Sequence, residues 1–159
     1  MDSELPSVIL DDDNVVRAVF SPQMVDAQGN LTRAVFSLRH NESYISVCRM
    51  SIDGWLDDIN AIPTSADRRL YGYAAMNVGC IRTQSFQYDN RQLTFDVVDK
   101  HTAKHKSHAG IVLEVDGVAL KGDKTALLKP LPADTSAQPL LLMFQGRLLK
   151  LAKKQFVKM

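Results

Sequence analysis

The chain has 159 residues, of which 45% are hydrophobic and 23% charged, and its formal net charge is +1. This composition excludes an intrinsically disordered protein, and the small net charge excludes a strong overall attraction to nucleic acid or acidic membranes. We therefore expect one globular domain over residues 1–159, in which residues 1–13 form an acidic N-terminal segment.

The apolar stretches of the chain are short. None approaches the roughly 18 residues that cross a bilayer, and the acidic start lacks the basic and apolar regions of a signal peptide. Cys48 and Cys80 lie in the apolar stretches "YISVCRM" and "AAMNVGCI", which favours reduced core thiols over a disulfide. These features predict a cytoplasmic protein without a membrane partner.

The first half of the chain combines strand patterns with short helical patterns. "DDDNVVRAVF" predicts a strand, and the turn cluster "AQGN" predicts a hairpin over "SPQMVDAQGNLTRAVFSL". The β-forming residues of "ESYISVCRM" predict another strand. "SIDGWLDDINAI" predicts a short helix, capped by Ser51, that ends before Pro63. Ser65 is predicted to cap a second helical segment through "ADRRLYGY", and "AAMNVGCIR" to be a strand.

The second half contains the clearest local signals. "RQLTFDVVDK" predicts a strand, and "AGIVLEVDGVALKG" predicts two strands joined by a two-residue turn at Asp116 and Gly117. "KPLPADTSAQP" predicts a loop, and "LLLMFQGRLLKLAKKQFVKM" predicts a terminal helix. The order of elements predicts an α+β fold with a largely antiparallel sheet, short helices in the first half and a C-terminal amphipathic helix.

The segment "HTAKHKSHAG" contains His101, His105 and His108 at positions i, i+4 and i+7. A helix would place the three imidazoles on one face, where they could bind a metal. The neighbouring lysines and flanking strand patterns favour instead a solvated basic loop with no metal or other cofactor. His108 directly precedes the strand pattern "AGIVLEV", so it is a candidate acid or base, and the alternative is a residue that closes the loop by local hydrogen bonds.

Three arginines interrupt apolar stretches. Arg17 lies in "VVRAVF", and an inward-facing guanidinium there has to be paired or to bind an anion. The alternative is an outward-facing arginine on an edge strand. Arg33 and Arg49 have similar settings, so the sequence raises the hypothesis that the three arginines converge on a phosphate or carboxylate.

Basic residues recur every three or four positions near the end of the chain. Arg147, Lys150, Lys154 and Lys158 are predicted to form a stripe on the terminal helix. Such a stripe would bind a protein partner, nucleic acid or the acidic segment of a second copy. The alternative is a solvated helix face whose cations interact with the C-terminal dipole.

Known catalytic signatures such as GxGxxG, GxxxxGK[ST], HExxH, GxSxG and paired CxxC do not occur in the sequence. Two functions therefore stay open. The first is an interaction module that uses the basic helix and the His/Lys-rich loop. The second is a small enzyme for a nucleotide or other phosphorylated ligand, in which Arg17 binds the anion and His108 moves a proton. The second requires both residues in one concave site.

The segments "VVRAVF", "GNLTRAVFS", "YISVCR" and "SHAGI" resemble the ordered blocks of a loose group of small uncharacterised bacterial α+β proteins. A more distant likeness is to RES and ADP-ribosyltransferase-like folds, where an early basic residue and a serine on a following strand bind NAD. That likeness matches Arg17 to the basic residue and Ser37 or Ser46 to the serine. The chain departs from it at the catalytic glutamate, because Glu114 is the only late glutamate, and we infer no NAD chemistry.

Overall fold

A computed structural model describes residues 8–37, 44–88, 90–119 and 137–159. The strands are β1 (Asn14–Ser21), β2 (Ile45–Arg49), β3 (Arg69–Asn77), β4 (Ser85–Tyr88), β5 (Arg91–Asp99), β6 (His108–Val115), β7 (Val118–Ala119) and β8 (Phe156–Lys158). The helices are α1 (Trp55–Asn60), α2 (Val78–Arg82) and α3 (Ala137–Ala152), with 3-10 turns at Arg33–Phe36 and Lys153–Gln155.

The strands form one eight-stranded sheet in the order β4-β5-β6-β2-β1-β3-β8, with β7 paired to β6, and neighbouring strands are antiparallel. Alternation explains how the central strands face the core: β5 buries Leu93, Phe95 and Val97 at every second position. The predicted α+β fold with a largely antiparallel sheet is confirmed.

Helix α3 covers one face of this sheet. Phe144 is buried between Phe86 and Phe95, with edge-to-face ring centroids 5.4 and 5.1 Å away, and Leu148 is fully buried one turn later. The apolar side of α3 therefore packs against the sheet and completes the core. No helix in the described ranges is long and apolar enough to cross a membrane.

The helix ends at Ala152, earlier than the sequence predicts. Phe156, Val157 and Lys158 instead form β8 on the edge of β3. This pairing depends on Gly72, because a Cβ there would lie 2.3 Å from the Val157 carbonyl oxygen. The prediction that Lys154 and Lys158 belong to one helical stripe is therefore wrong: Lys154 lies in a 3-10 turn and Lys158 in a strand.

Two further local predictions are corrected. The turn at 26–30 forms, but its second arm contributes only an isolated Val25–Leu31 bridge before the 3-10 turn at 33–36, so the predicted hairpin is incomplete. The predicted helix after Ser65 is a tight turn that leads into β3, because this segment pairs with β1 along its length. The predicted strand "AAMNVGCIR" ends at Asn77, whose side chain caps α2.

Other local predictions hold. Strand β2 and the β6–β7 turn occur where the sequence indicates, and both Asp116 (φ 51°) and Gly117 (φ 79°) adopt left-handed conformations. Helix α1 also forms, but it begins at Trp55 after Gly54, so the predicted Ser51 cap is wrong: the Ser51 hydroxyl donates to Asp13 instead. The cysteines are free thiols; Cys48 is buried as expected, whereas Cys80 is exposed on α2. Most of the predicted loop "KPLPADTSAQP" lies outside the described residues.

Candidate functional site

A cavity of about 280 Å³ opens on the face of the sheet opposite α3. Cross-strand register builds its floor: Val16 on β1 lies opposite Cys48 on β2, which lies opposite His108 on β6. Directly opposed residues share a face, so the three side chains form a row across three strands. Leu113 is separated from His108 by an odd number of residues along β6, so its side chain points to the opposite face of the sheet. Its partner on β5, Phe95, contacts Phe144 of α3, so α3 packs on that opposite face.

The walls of the cavity come from α1, the segment after it and the loop before β6. The lining residues are Val16, Arg17, Ala18, Phe20, Ser46, Val47, Cys48, Asp58, Ile59, Ala61, Ile62, Pro63, Arg68, His105 and His108. The set combines an apolar floor with two cations, two imidazoles and one carboxylate. Such a mixture of apolar surface and a few convergent polar groups is typical of ligand sites.

Arg17 is fixed at the junction of β1 and β2. Its Nε donates to the Val35 carbonyl at 2.9 Å and its Nη1 to the Ser46 carbonyl at 2.7 Å. The side chain is part-buried and does not adopt the outward-facing alternative. Arg17 follows Val16 along β1 and lies opposite Ala74 on β3, so its side chain points away from the face that carries Val16, Cys48 and His108. The guanidinium therefore lies on the α3 side of the sheet, beside the 3-10 turn at Arg33–Phe36. The prediction that Arg17 and His108 act together in one concave site is wrong.

Arg68 supplies a second cation. It lies on the turn that precedes β3, and its guanidinium stacks on the ring of Phe20, with Cζ 3.7 Å from the ring centroid. Its Nη1 also donates to the Pro63 carbonyl at 3.3 Å. The stacked arrangement keeps the arginine at the cavity edge.

Asp58 connects α1 to the His/Lys-rich loop. Its Oδ2 accepts hydrogen bonds from the backbone N of Ser107, at 3.2 Å, and from the Ser107 hydroxyl. Its Oδ1 lies 3.7 Å from Nδ1 of His105. One carboxylate therefore anchors the loop and borders the imidazole of His105.

His108 begins β6, as predicted, and its ring is half-buried beside Tyr44, with ring centroids 5.9 Å apart. Burial, followed by the nearby positive charge of His105, lowers the pKa of His108 below its ordinary value of 6.5. The carboxylates of Asp58 and Asp99 oppose this shift without reversing it. His108 is therefore a neutral imidazole at pH 7, able to accept a proton.

Cys48 occupies the floor between these groups. Burial raises the pKa of its thiol above the ordinary 9.0, and the Asp58 carboxylate acts in the same direction. A hydrogen bond with Ser107 and the charge of Arg17 oppose the shift. The thiol is protonated at neutral pH, so Cys48 forms part of the apolar floor and is a poor nucleophile.

The other two arginines of the predicted anion site lie elsewhere, so the three do not converge. Arg49 is only 4% exposed and lies between Asp13 at 3.4 Å and Asp99 at 3.6 Å. These carboxylates meet the need of a buried guanidinium for negative charge. Arg33 is exposed on a 3-10 turn, where the sequence predicts a strand.

The three histidines do not form a common site either. The segment 100–107 is a loop, so they share no helical face, and only His105 and His108 line the cavity. His101 is instead paired through Nδ1 with Asp99. Across the part of the chain that the structure describes, no group of three His, Cys, Asp or Glu residues could hold a metal ion.

A second, shallower concavity of about 430 Å³ lies on α3, and we call it the basic surface. Its residues are Arg33, Leu142, Met143, Gly146, Arg147 and Lys150. Arg33 packs beside Gly146, and the guanidinium of Arg147 lies over the ring of Phe86, with Cζ 5.0 Å from the ring centroid. Within the described ranges, no carboxylate forms an ion pair with its three cations.

Sequence reasoning identified His108 because it precedes an apolar strand pattern. It missed Asp58, Arg68 and Ser107, which carry no local signal: they come from a helix, a turn and a loop that meet only in the folded chain. Of the serines in the distant resemblance, Ser46 lines the cavity and Ser37 is exposed. Glu114 accepts a hydrogen bond from Thr94 on β5.

The arrangement supports proton transfer next to an anionic group. Two imidazoles and the guanidinium of Arg68 border one space, and the apolar floor strengthens any charge interaction made there. No protein-family model, curated protein or solved structure matches the chain, so function is argued here from the site itself.

Proposed function

We propose that the protein is a small enzyme that binds a nucleotide or other phosphorylated ligand in the cavity. Arg68 attracts the anionic group, and His108 accepts or donates a proton. The observation that carries this proposal is that Arg68 and His108, 40 residues apart in the sequence, line one cavity. A cation and a proton-accepting group in one concave site are what an enzyme of this kind requires.

Charge and polarity favour a phosphorylated ligand. Guanidinium groups bind phosphate through paired, charge-assisted hydrogen bonds, and Arg68 is held at the cavity edge by its stacking on Phe20 and its hydrogen bond to the Pro63 carbonyl. The apolar part of the lining, including Ala18 and Ile59, suits the uncharged portion of a ligand.

Thermal unfolding with a panel of mononucleotides and inorganic phosphate tests the proposal. A ligand at a hundred times its Kd stabilises the native state by about 2.7 kcal/mol, which for a chain of this size raises Tm by roughly 5–10 °C. Arg68→Lys keeps the charge and loses the planar fork, so the apparent affinity for the ligand should fall at least about tenfold. Lys153→Gln removes an exposed cation outside both the cavity and the basic surface, so it is the control and should leave the thermal shift unchanged.

His108→Gln separates binding from proton transfer. The variant should still show the thermal shift, because Arg68 remains, while turnover of the ligand is lost. A flat panel for the wild-type protein, or a shift that Arg68→Lys does not weaken, would refute ligand binding in this cavity.

The basic surface supports a second candidate function, an interaction module. Three cations that pair with no carboxylate of the described residues surround Leu142 and Met143, each 37% exposed, and this combination fits a polyanionic partner such as nucleic acid. Lys104 and Lys106 of the loop are exposed and could add to the attraction.

Salt dependence tests this candidate. With three phosphate contacts, binding of a single-stranded oligonucleotide should weaken with a log–log slope of about −2. Lys150→Glu should reduce that slope, whereas Lys153→Glu, an exposed cation outside the basic surface, should change it little. A protein that binds no oligonucleotide at low salt contradicts nucleic-acid binding and directs the search toward protein partners.

A further inference from the structure

The cavity contains a second imidazole, His105, whose surroundings differ from those of His108. The ring of His105 has the Asp58 carboxylate 3.7 Å from its Nδ1, and the ring of His108 packs beside Tyr44. The two residues are joined by a turn in which the His108 backbone N donates to the His105 carbonyl at 3.2 Å. Both side chains line the same space.

Asp58 is suited to hold His105 in place. It is only 18% exposed, and its second oxygen is fixed by both the backbone and the hydroxyl of Ser107. A carboxylate beside one imidazole nitrogen restricts the orientation of the ring. Asp58 is therefore a positioning residue for His105.

Two imidazoles in unlike environments beside cations match the requirements of phosphodiester transfer. Such a reaction needs a base for the attacking hydroxyl, an acid for the leaving oxygen and positive charge near the phosphoryl group. We propose that the cavity cleaves phosphodiester bonds in ribonucleotides, with His108 as the base and His105 as the acid. This inference rests on the proposed function and names its substrate class and second catalytic residue.

The proposed step balances within the substrate and the two histidines. His108 removes the proton of the ribose 2′-hydroxyl, the 2′-oxygen forms a bond to phosphorus, and the bond from phosphorus to the 5′-oxygen breaks. His105 gives its proton to that leaving oxygen. The products are a 2′,3′-cyclic phosphate and a 5′-hydroxyl, and a later exchange of protons restores both histidines.

The charge near the cavity favours a ribonucleotide chain over a single nucleotide. Arg68 borders the site of the phosphoryl group, and the loop that carries His105 also carries exposed Lys104 and Lys106. Phosphates on either side of the cleaved bond can interact with these lysines. The attacking hydroxyl belongs to the substrate, so the protein needs no nucleophile of its own.

The groups that face His108 set the expected pH dependence. They are Asp58 on α1, His105, Asp99 and Lys100 beside the loop, Tyr44 and Cys48 on the neighbouring strand segment, and Arg68 in the lining. An acid and a base acting together give a bell-shaped rate profile. Because burial lowers the pKa of His108, the acidic limb should lie below the ordinary histidine range.

Cleavage of a fluorophore–quencher oligoribonucleotide by the full chain tests the inference. Its partner substrate has the same sequence with 2′-O-methyl riboses, which lack the attacking hydroxyl and should stay intact. His105→Ala should lower the rate about 100-fold or more. His101→Ala, in the same loop and outside the cavity, is the matched control and should retain the wild-type rate.

Asp58→Asn tests the positioning role. It should lower kcat with little change in KM, and Asp58→Glu, which keeps the carboxylate, should recover part of the rate; a purely structural contribution to Tm does not produce this pattern. Equal rates for wild type and His105→Ala, or cleavage of the 2′-O-methyl substrate, overturn the inference. A wild-type protein that shifts Tm with mononucleotides but cleaves no RNA overturns it too, and leaves the proposed ligand binding standing.

Discussion

Replacing Arg49 tests whether this buried arginine holds the fold or binds an external anion. Its side chain is 4% exposed, and those of its partners Asp13 and Asp99 are 7% and 10% exposed. Arg49→Met fills similar space but leaves both carboxylates without their shared cation. Breaking a buried ion pair in this way costs about 3–5 kcal/mol.

For a chain of this length, that loss lowers Tm by roughly 6–20 °C. Urea unfolding at pH 7, followed by circular dichroism, measures the free energy directly. Arg33→Met makes the same chemical change at an exposed position and should stay within about 0.5 kcal/mol of wild type. Arg49→Lys retains the charge, so its loss should be smaller than that of Arg49→Met.

A loss below about 1 kcal/mol for Arg49→Met would refute the reasoning, since it would mean that the two carboxylates do not depend on Arg49. The anion-binding role predicted for Arg49 from its sequence setting would then regain support. Thermal shifts with mononucleotides on the same variants add a second readout. They should persist in Arg49→Met, because Arg49 does not line the cavity.

Three further outcomes are expected. Phe144→Ala should lower the free energy of unfolding, measured with urea, by about 3–5 kcal/mol, because it removes the ring that packs α3 against Phe86 and Phe95. A loss below about 1 kcal/mol would contradict that packing. Ellman's reagent should titrate one fast thiol, Cys80, and reach Cys48 only after unfolding, since burial protects it and raises its pKa; two fast thiols would contradict the burial. The pKa of His108 is lower in the folded protein than in the unfolded chain, so as the pH falls below 6.5 the unfolded chain binds the proton more readily than the folded protein does. Wild type should therefore lose stability relative to His108→Gln between pH 7 and 5, and a constant difference in urea unfolding would contradict this.

Features encoded by a few neighbouring residues could be predicted from the sequence. The β6–β7 turn follows from Asp116 and Gly117, which accept left-handed backbone conformations, and α3 follows from apolar residues at helical spacing. Failures occurred where a distant partner decided the conformation. The segment after Ser65 reads as a helix by composition, but β1 on one side and β8 on the other draw it into the sheet.

The residues of the candidate site also divide into those with a local sequence signal and those without one. His108 stood out by its position before β6, while its meeting with Asp58 and Arg68 depends on how α1 and the turn before β3 fold against the sheet, an arrangement that no local pattern encodes. The predicted convergence of Arg17, Arg33 and Arg49 assumed that similar settings imply a shared anion site. Each arginine instead has its own surroundings: Arg17 donates to backbone carbonyls on the α3 side of the sheet, Arg49 lies in a buried ion network and Arg33 is exposed on the basic surface.

The proportions of the fold explain why the cavity lies where it does. Helix α1 has six residues and is about 9 Å long, whereas the seven strands of the main sheet path extend roughly 29 Å across. So short a helix cannot cover its face of the sheet, and Ile59 and Ile62 shield only the nearest strands. The open space beside them is bordered by the loop with His105 and the turn with Arg68.

This arrangement divides the candidate catalytic groups by rigidity. His108 and Cys48 stand on hydrogen-bonded strands, whereas His105 depends on a loop that Asp58 and Ser107 tie to α1. Catalytic geometry has to be maintained closely, so the Asp58–Ser107 contact is where precision would be lost first. A variant that weakens the Asp58–Ser107 contact should therefore impair proton transfer before it impairs ligand binding. Asp58→Asn tests this expectation.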